Sequence, residues 1–132
     1  MDRMMMDAMA GQDATMAGMP AADAPQMQAA MDALAACEQA CVVCSAQEMD
    51  CAASCMNCAD MCNTMMRSML RMSGMTPEAM RAMLDACIEM CRACMAECAA
   101  HADHSPVCAM CAEACRACMD ACGAVLDAMA AA

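Results

Sequence analysis

The chain has 132 residues, with 16 Cys, 24 Met, no Phe, Tyr or Trp, and a formal net charge of −11. That length suits one compact domain. The acidic balance, with Arg as the only strong base, excludes the basic patches that recruit nucleic acid or an anionic membrane surface, so neither is expected as a partner.

The branched aliphatics are few: Leu34, Leu70, Leu84, Leu126, Val42, Val43, Val107, Val125 and Ile88. Aromatic side chains normally supply much of a core's buried area. Here sulfur must fill the core, and Cys and Met both pack well in a dry interior. Sixteen Cys still exceed what packing needs. No stretch of the chain is apolar and charge-free for long enough to span a membrane.

The first stretch, residues 1–24, is a low-complexity segment of Met, Ala, Asp and Gly, with Gly11, Gly18, Pro20 and Pro25 as breakers. Its first ten residues suit a short helix, and the remainder reads as a tail. Asp2, Asp7 and Asp13 interrupt any signal-like apolar region, so the cytoplasm is the expected location, and a processed start would allow the periplasm. In a reducing compartment, this many Cys point to metal rather than disulfides.

Residues 25–132 read as a Cys-rich bundle. A first long helix is expected from about Pro25 to Ala46, carrying Cys37, Cys41 and Cys44, with Met27, Met31 and Leu34 extending the same stripe. The polar link Gln47 to Asp50 leads to a helix with Cys51, Cys55, Cys58 and Cys62, continued in phase by Met65, Met69 and Met72. Gly74 is expected as its C-terminal stop.

Thr76-Pro77-Glu78 is a helix start, with a capping hydroxyl, Pro at the first position and an acid in the first turn. The helix it opens carries Met80, Leu84, Cys87, Cys91, Cys94 and Cys98, and ends near Ala100. A link with His101 and His104 follows, and Ser105-Pro106 repeats the start signal. The last helix carries Cys108, Cys111, Cys115, Cys118 and Cys122, then Val125, Leu126 and Met129. Steps of three and four place these thiols within an arc of about 120° on one helix face.

Short links favour antiparallel neighbours, so the expected fold is all-α, an up-down-up-down four-helix bundle with facing sulfur stripes and a Met-rich N-terminal extension. This topology sorts the residues to two ends. Met27, Met31, Leu34, Met65, Met69, Met72, Met80, Leu84, Val125, Leu126 and Met129 close one end as an apolar plug. Cys44, Met49, Cys51, Cys98, His101, His104 and Cys108 gather at the other, which is the expected mouth.

Thiolate and thioether ligands select soft metals, foremost Cu(I). Zinc sites usually close as isolated groups of four thiols in loops or knuckles, and iron–sulfur clusters are wrapped by loop cysteines. Continuous columns on helices instead suit Cu(I), which accepts two or three ligands and shares thiolates between ions. Roughly one Cu(I) per thiol is expected from ligand count. Each ion would displace about one thiol proton and keep the core near neutral.

Met stripes at helical spacing read first as core filler. Met49 at the mouth is a candidate ligand that passes Cu(I) inward, and His101 and His104 are candidate ligands between Cys98 and Cys108. No Ser/His/Asp set, phosphate loop or thioredoxin-like context is readable, so no enzyme is expected. A metallothionein-like Zn or Cd buffer and a disulfide-stabilised interaction protein remain as alternatives. A flexible Met arm from Met1, Met4, Met5, Met6, Met9, Met16 and Met19 that feeds the mouth is a further reading, although its root lies at the plug end.

The segment AMLDACIEMCRACMAECAAHADHSPVCAMCAEACRACMDAC, with CEQACVVC and CAASCMNCADMC before it, resembles the four-helix-bundle copper storage proteins, a Cys-rich bacterial family, and its cytosolic branch above all. The resemblance covers about residues 30–122. It implies a Cu(I) store with all 16 Cys as ligands, a mouth at the His101 and His104 end, and a homo-oligomer, often a tetramer. A copper chaperone or efflux protein would be the exchange partner. The chain departs from the family where Pro106-Val107 replaces a further His, and in its excess of Met.

Overall fold

Side-chain caps and prolines set two of the long helices. Thr76 is extended (φ −83, ψ 156) and its Oγ1 accepts the Ala79 N–H at 3.1 Å, just before Pro77. Ser105 Oγ does the same for the Cys108 N–H at 3.1 Å, just before Pro106. Each hydroxyl satisfies one of the donors that a helix leaves unpaired at its start, and each proline occupies a position where no N–H is needed.

The computed structural model describes residues 3–10 and 24–131. Its helices are α1 (Arg3–Ala10), α2 (Ala24–Ser45), α3 (Ala52–Met69), α4 (Pro77–Ala100) and α5 (Pro106–Ala131), with a 3₁₀ turn at Met72–Gly74. There is no strand among the described residues. Helix α2 packs on α3, α3 on α4, α4 on α5, and α5 returns to α2, which closes the expected four-helix bundle. No described helix is long and apolar enough to cross a membrane.

The buried core is the set of facing stripes. Among its described apolar members, only Ala30, Leu34, Ala40, Ala59, Leu84 and Val125 carry no sulfur. All the expected plug residues are buried except Leu126, which is half-buried at the edge of its stripe. Burial of each such Met or Leu contributes on the order of 1.5–3 kcal/mol. Val42, Val43 and Leu70 are exposed and add nothing to the core.

Gly74 does not stop α3. The helix ends at Met69, the Leu70 N–H turns back to the Arg67 carbonyl (3.2 Å) and the Arg71 N–H to that of Ser68 (3.0 Å), and no described glycine has positive φ. The 3₁₀ turn carries Met72 into the plug, so the chain reverses without a left-handed residue there. The positive φ falls instead on Glu48 (φ 58), in the link from α2 to α3. The expected N-terminal helix is present as α1, packed on α2 beside Ala24, Pro25, Gln28, Ala29 and Asp32. Met1, Met16 and Met19 of the expected Met arm lie outside the described residues.

Candidate metal centre

The helical steps that define each stripe turn all 16 cysteines inward as free, fully buried thiols. Neighbouring helices interleave them, so that thiols of one helix meet sulfur from the others. A single path of sulfur contacts runs from Cys108 to Cys44, Cys98, Cys55, Cys94, Cys41, Cys37, Cys58, Cys91 and Cys62, every step between 3.6 and 4.0 Å. Cys51 joins it at Cys44 (3.9 Å), Cys111 at Cys41 (3.7 Å) and Cys115 at Cys37 (3.8 Å). Cys87 and Cys118 group with Cys62 and Cys91, all four sulfurs within 4.8 Å of one another. Cys122 lies one turn further along α5, and contacts with Cys118 and then Cys87 raise its thiol pKa.

These separations suit metal binding. With metal–sulfur bonds of about 2.3 Å, a trigonal site holds its sulfurs about 4.0 Å apart and a tetrahedral site about 3.8 Å. A disulfide needs about 2.05 Å, so none of these contacts is one. The thiols also group in overlapping sets. Cys37 and Cys58 belong both with Cys41 and Cys115 and with Cys62 and Cys91, while Cys41 and Cys115 belong again with Cys94 and Cys111. Overlap means shared thiolates and a chain of ions, not isolated closed sites.

Protonation differs along the tube. Burial pushes the Cys44 thiol up to about 12 and raises Cys55 and Cys98 as well. At mid-tube, hydrogen bonds from Cys111, Cys115 and Cys41 lower Cys94 to about 4, and those from Cys115 and Cys41 lower Cys111 to about 7.

The two links meet at one end, as expected. The outermost sulfurs there are Cys44, Cys51 and Cys108, and the half-buried Met49 Sδ accepts the Cys108 S–H at 3.8 Å. His101 is half-buried and His104 exposed, both in the turn between α4 and α5. Five four-residue groups among the described residues, spanning Cys37 to Cys118, are formed by thiols alone.

Two further residues line this end that chain-level reading passed over. Gln47 Nε2 donates to Cys108 Sγ (3.3 Å), Cys44 Sγ (3.6 Å) and the Cys44 carbonyl (3.4 Å), while its Oε1 accepts the Ser105 hydroxyl at 2.7 Å. Burial pushes the Cys108 thiol up, but the hydrogen-bonding side chains of Ser105, Gln47, Cys44 and Cys51 outweigh it and leave the thiol below its ordinary value. The signal in the sequence was slight, a polar side chain three residues after Cys44 and a capping Ser three before Cys108.

The copper storage protein family profile matches residues 22–127, and the chain belongs to that family. Three solved structures of the Streptomyces lividans protein Ccsp are similar to it. One, loaded with 10 copper equivalents, is 35% identical, with 80% of this chain and 86% of that one covered and a TM-score of 0.75. Another, described as a cytosolic copper storage protein with five coppers, is 35% identical over 78% of this chain and 93% of that one, with a TM-score of 0.73. A histidine-to-alanine mutant is 34% identical over 83% and 98%, with a TM-score of 0.77. No curated protein matches the chain by sequence.

Proposed function

We propose that this chain stores copper, holding many Cu(I) ions on thiolates inside its four-helix bundle, for copper homeostasis and detoxification. The observation that carries the reading is the unbroken run of free buried thiols at 3.6–4.0 Å from Cys108 to Cys62. Family membership and the copper-loaded relatives support it. All 16 cysteines act as ligands. Met49, His101 and His104 serve the mouth, where incoming Cu(I) first meets sulfur.

Charge favours Cu(I) over the zinc alternative. Sixteen thiolates neutralised by a similar number of monovalent ions leave a nearly neutral dry core. Closed around four divalent ions, the same thiolates would retain about eight negative charges, which an apolar interior does not tolerate. A disulfide-stabilised protein would not keep every cysteine as a free thiol.

The relative described as cytosolic supports a cytoplasmic store, where thiols stay reduced. Residues 25–132 form the storing domain, and 1–24 a separate Met-rich segment. A homo-oligomer, tetrameric by resemblance, and exchange with a copper chaperone or efflux protein complete the proposal.

Anaerobic titration of the reduced protein with Cu(I), followed by a chromophoric Cu(I) chelator, tests it. On the order of one tightly held Cu(I) per thiol is expected from the ligand count. Saturation at one or two ions per chain would overturn the storage reading, and preferential retention of zinc under the same competition would favour the metallothionein-like one.

A further inference from the structure

We infer that Gln47 is a hydrogen-bonded latch across the mouth of the thiol tube, and that its release sets the rate at which copper passes. The inference rests on the storage reading and concerns rate rather than capacity.

The geometry is specific. One amide spans two elements, with its nitrogen on sulfurs of α2 and α5 and its oxygen on the Ser105 hydroxyl. Ser105 is almost fully buried and is itself fixed by capping α5 through the Cys108 N–H. The latch therefore closes onto a rigid anchor. Its own root is the exposed link after α2, where Glu48 takes a left-handed turn.

An amide nitrogen is a donor and offers no lone pair to a soft metal. While Nε2 points at Cys44 and Cys108, it covers the outermost sulfurs and contributes no ligand of its own. An ion bridging Cys44, Cys51 and Cys108 requires the amide to swing outward, breaking its bonds to both sulfurs and to Ser105. Once the ion has moved inward, the amide closes again and holds the outer sulfurs at their spacing. Cys108 Sγ then hands metal between the inner path at Cys44 and the thioether of Met49 outside it.

Removing a net hydrogen-bond contribution of about 1–1.4 kcal/mol from the closed state corresponds to roughly five- to tenfold in rate. The test uses the full chain, loaded anaerobically with Cu(I), and follows copper removal by a chromophoric chelator in excess. Two variants separate hydrogen bonding from bulk: Gln47→Ala, and Gln47→Leu, which keeps the size but neither polar atom. Both are expected to keep the wild-type capacity and helicity, and to release copper roughly five- to tenfold faster. An unchanged or slower rate in Gln47→Ala overturns the latch, as does Gln47→Leu releasing at the wild-type rate while Gln47→Ala is fast. Failure of the storage reading itself would appear separately, as low capacity in the wild-type protein.

Discussion

At one end of the bundle, Leu34, Met65, Leu84 and Val125 are fully buried together, with Met69, Met72 and Met80 beyond them. At the other, Cys44, Cys51 and Cys108 are just as buried, yet each faces sulfur, an amide or a thioether. The same four helices make both ends, and their exposure is the same. What differs is how burial acts. The plug removes apolar area from water and stabilises the fold whether or not metal is present. The mouth buries small polarizable groups whose full stabilisation comes when metal replaces their protons. One half of the molecule thus holds the fold, and the other half stores metal.

Truncation at each end gives the largest test of that division. Leu84→Ala removes a fully buried side chain from the plug and is expected to cost about 2–5 kcal/mol in the apo protein, read by chemical denaturation. Its copper capacity should stay at the wild-type value. Cys44→Ala, at the mouth, should change apo stability by about 1 kcal/mol while lowering capacity. A plug variant that loses capacity at unchanged stability would erase the distinction between the ends.

Alkaline pH should sharpen the contrast next. Burial raises Cys44, Cys55 and Cys98 above the ordinary thiol value, so the folded state keeps protons that the unfolded chain has released. Their contribution is complete below the unfolded thiol pKa of about 8.5 and is lost as pH rises toward the folded value of Cys44, about 12. Cys94 and Cys111 are lowered and add no slope there, being ionised in both states. The melting temperature of the reduced apo protein should therefore fall between about pH 9 and 11. The copper-loaded protein has already lost those protons and should not show this fall. Equal alkaline loss in both forms would place its origin outside the thiol column.

The plug and the columns were legible because they follow from period alone. Steps of three and four fix a face, and short links fix which ends meet, so Cys44, Cys98 and Cys108 could be gathered at one end from the sequence. Leu126 was assigned to the plug on the same logic and is only half-buried, because it lies about 100° around α5 from Val125, which takes the inward position. Gly74 was assigned by residue type, but the turn there is governed by where Met72 must go. Gln47 was not readable, since its role depends on a hydroxyl 58 residues away that a bundle brings within hydrogen-bonding distance. Spacing reveals stripes, whereas a bridge between two links needs the tertiary structure.

The smallest effect concerns the link that roots the mouth. Glu48 holds φ 58 without being glycine, a conformation that costs an L-residue about 1–2 kcal/mol. Glycine removes that strain but gives back about 0.5–1 kcal/mol in unfolded-chain entropy. Glu48→Gly should therefore stabilise the apo protein by about 0.5 kcal/mol, a small rise in the denaturation midpoint. The plug shares no residue with this link, so the gain should add to the cost of Leu84→Ala in the double variant. Copper release is the more telling readout. A glycine beside Gln47 frees the backbone that carries the amide, so release should quicken even as the fold becomes more stable. If stability and release rate move together instead, with a firmer fold releasing copper more slowly, then the mouth opens by loosening the bundle as a whole and its link is not an independent hinge.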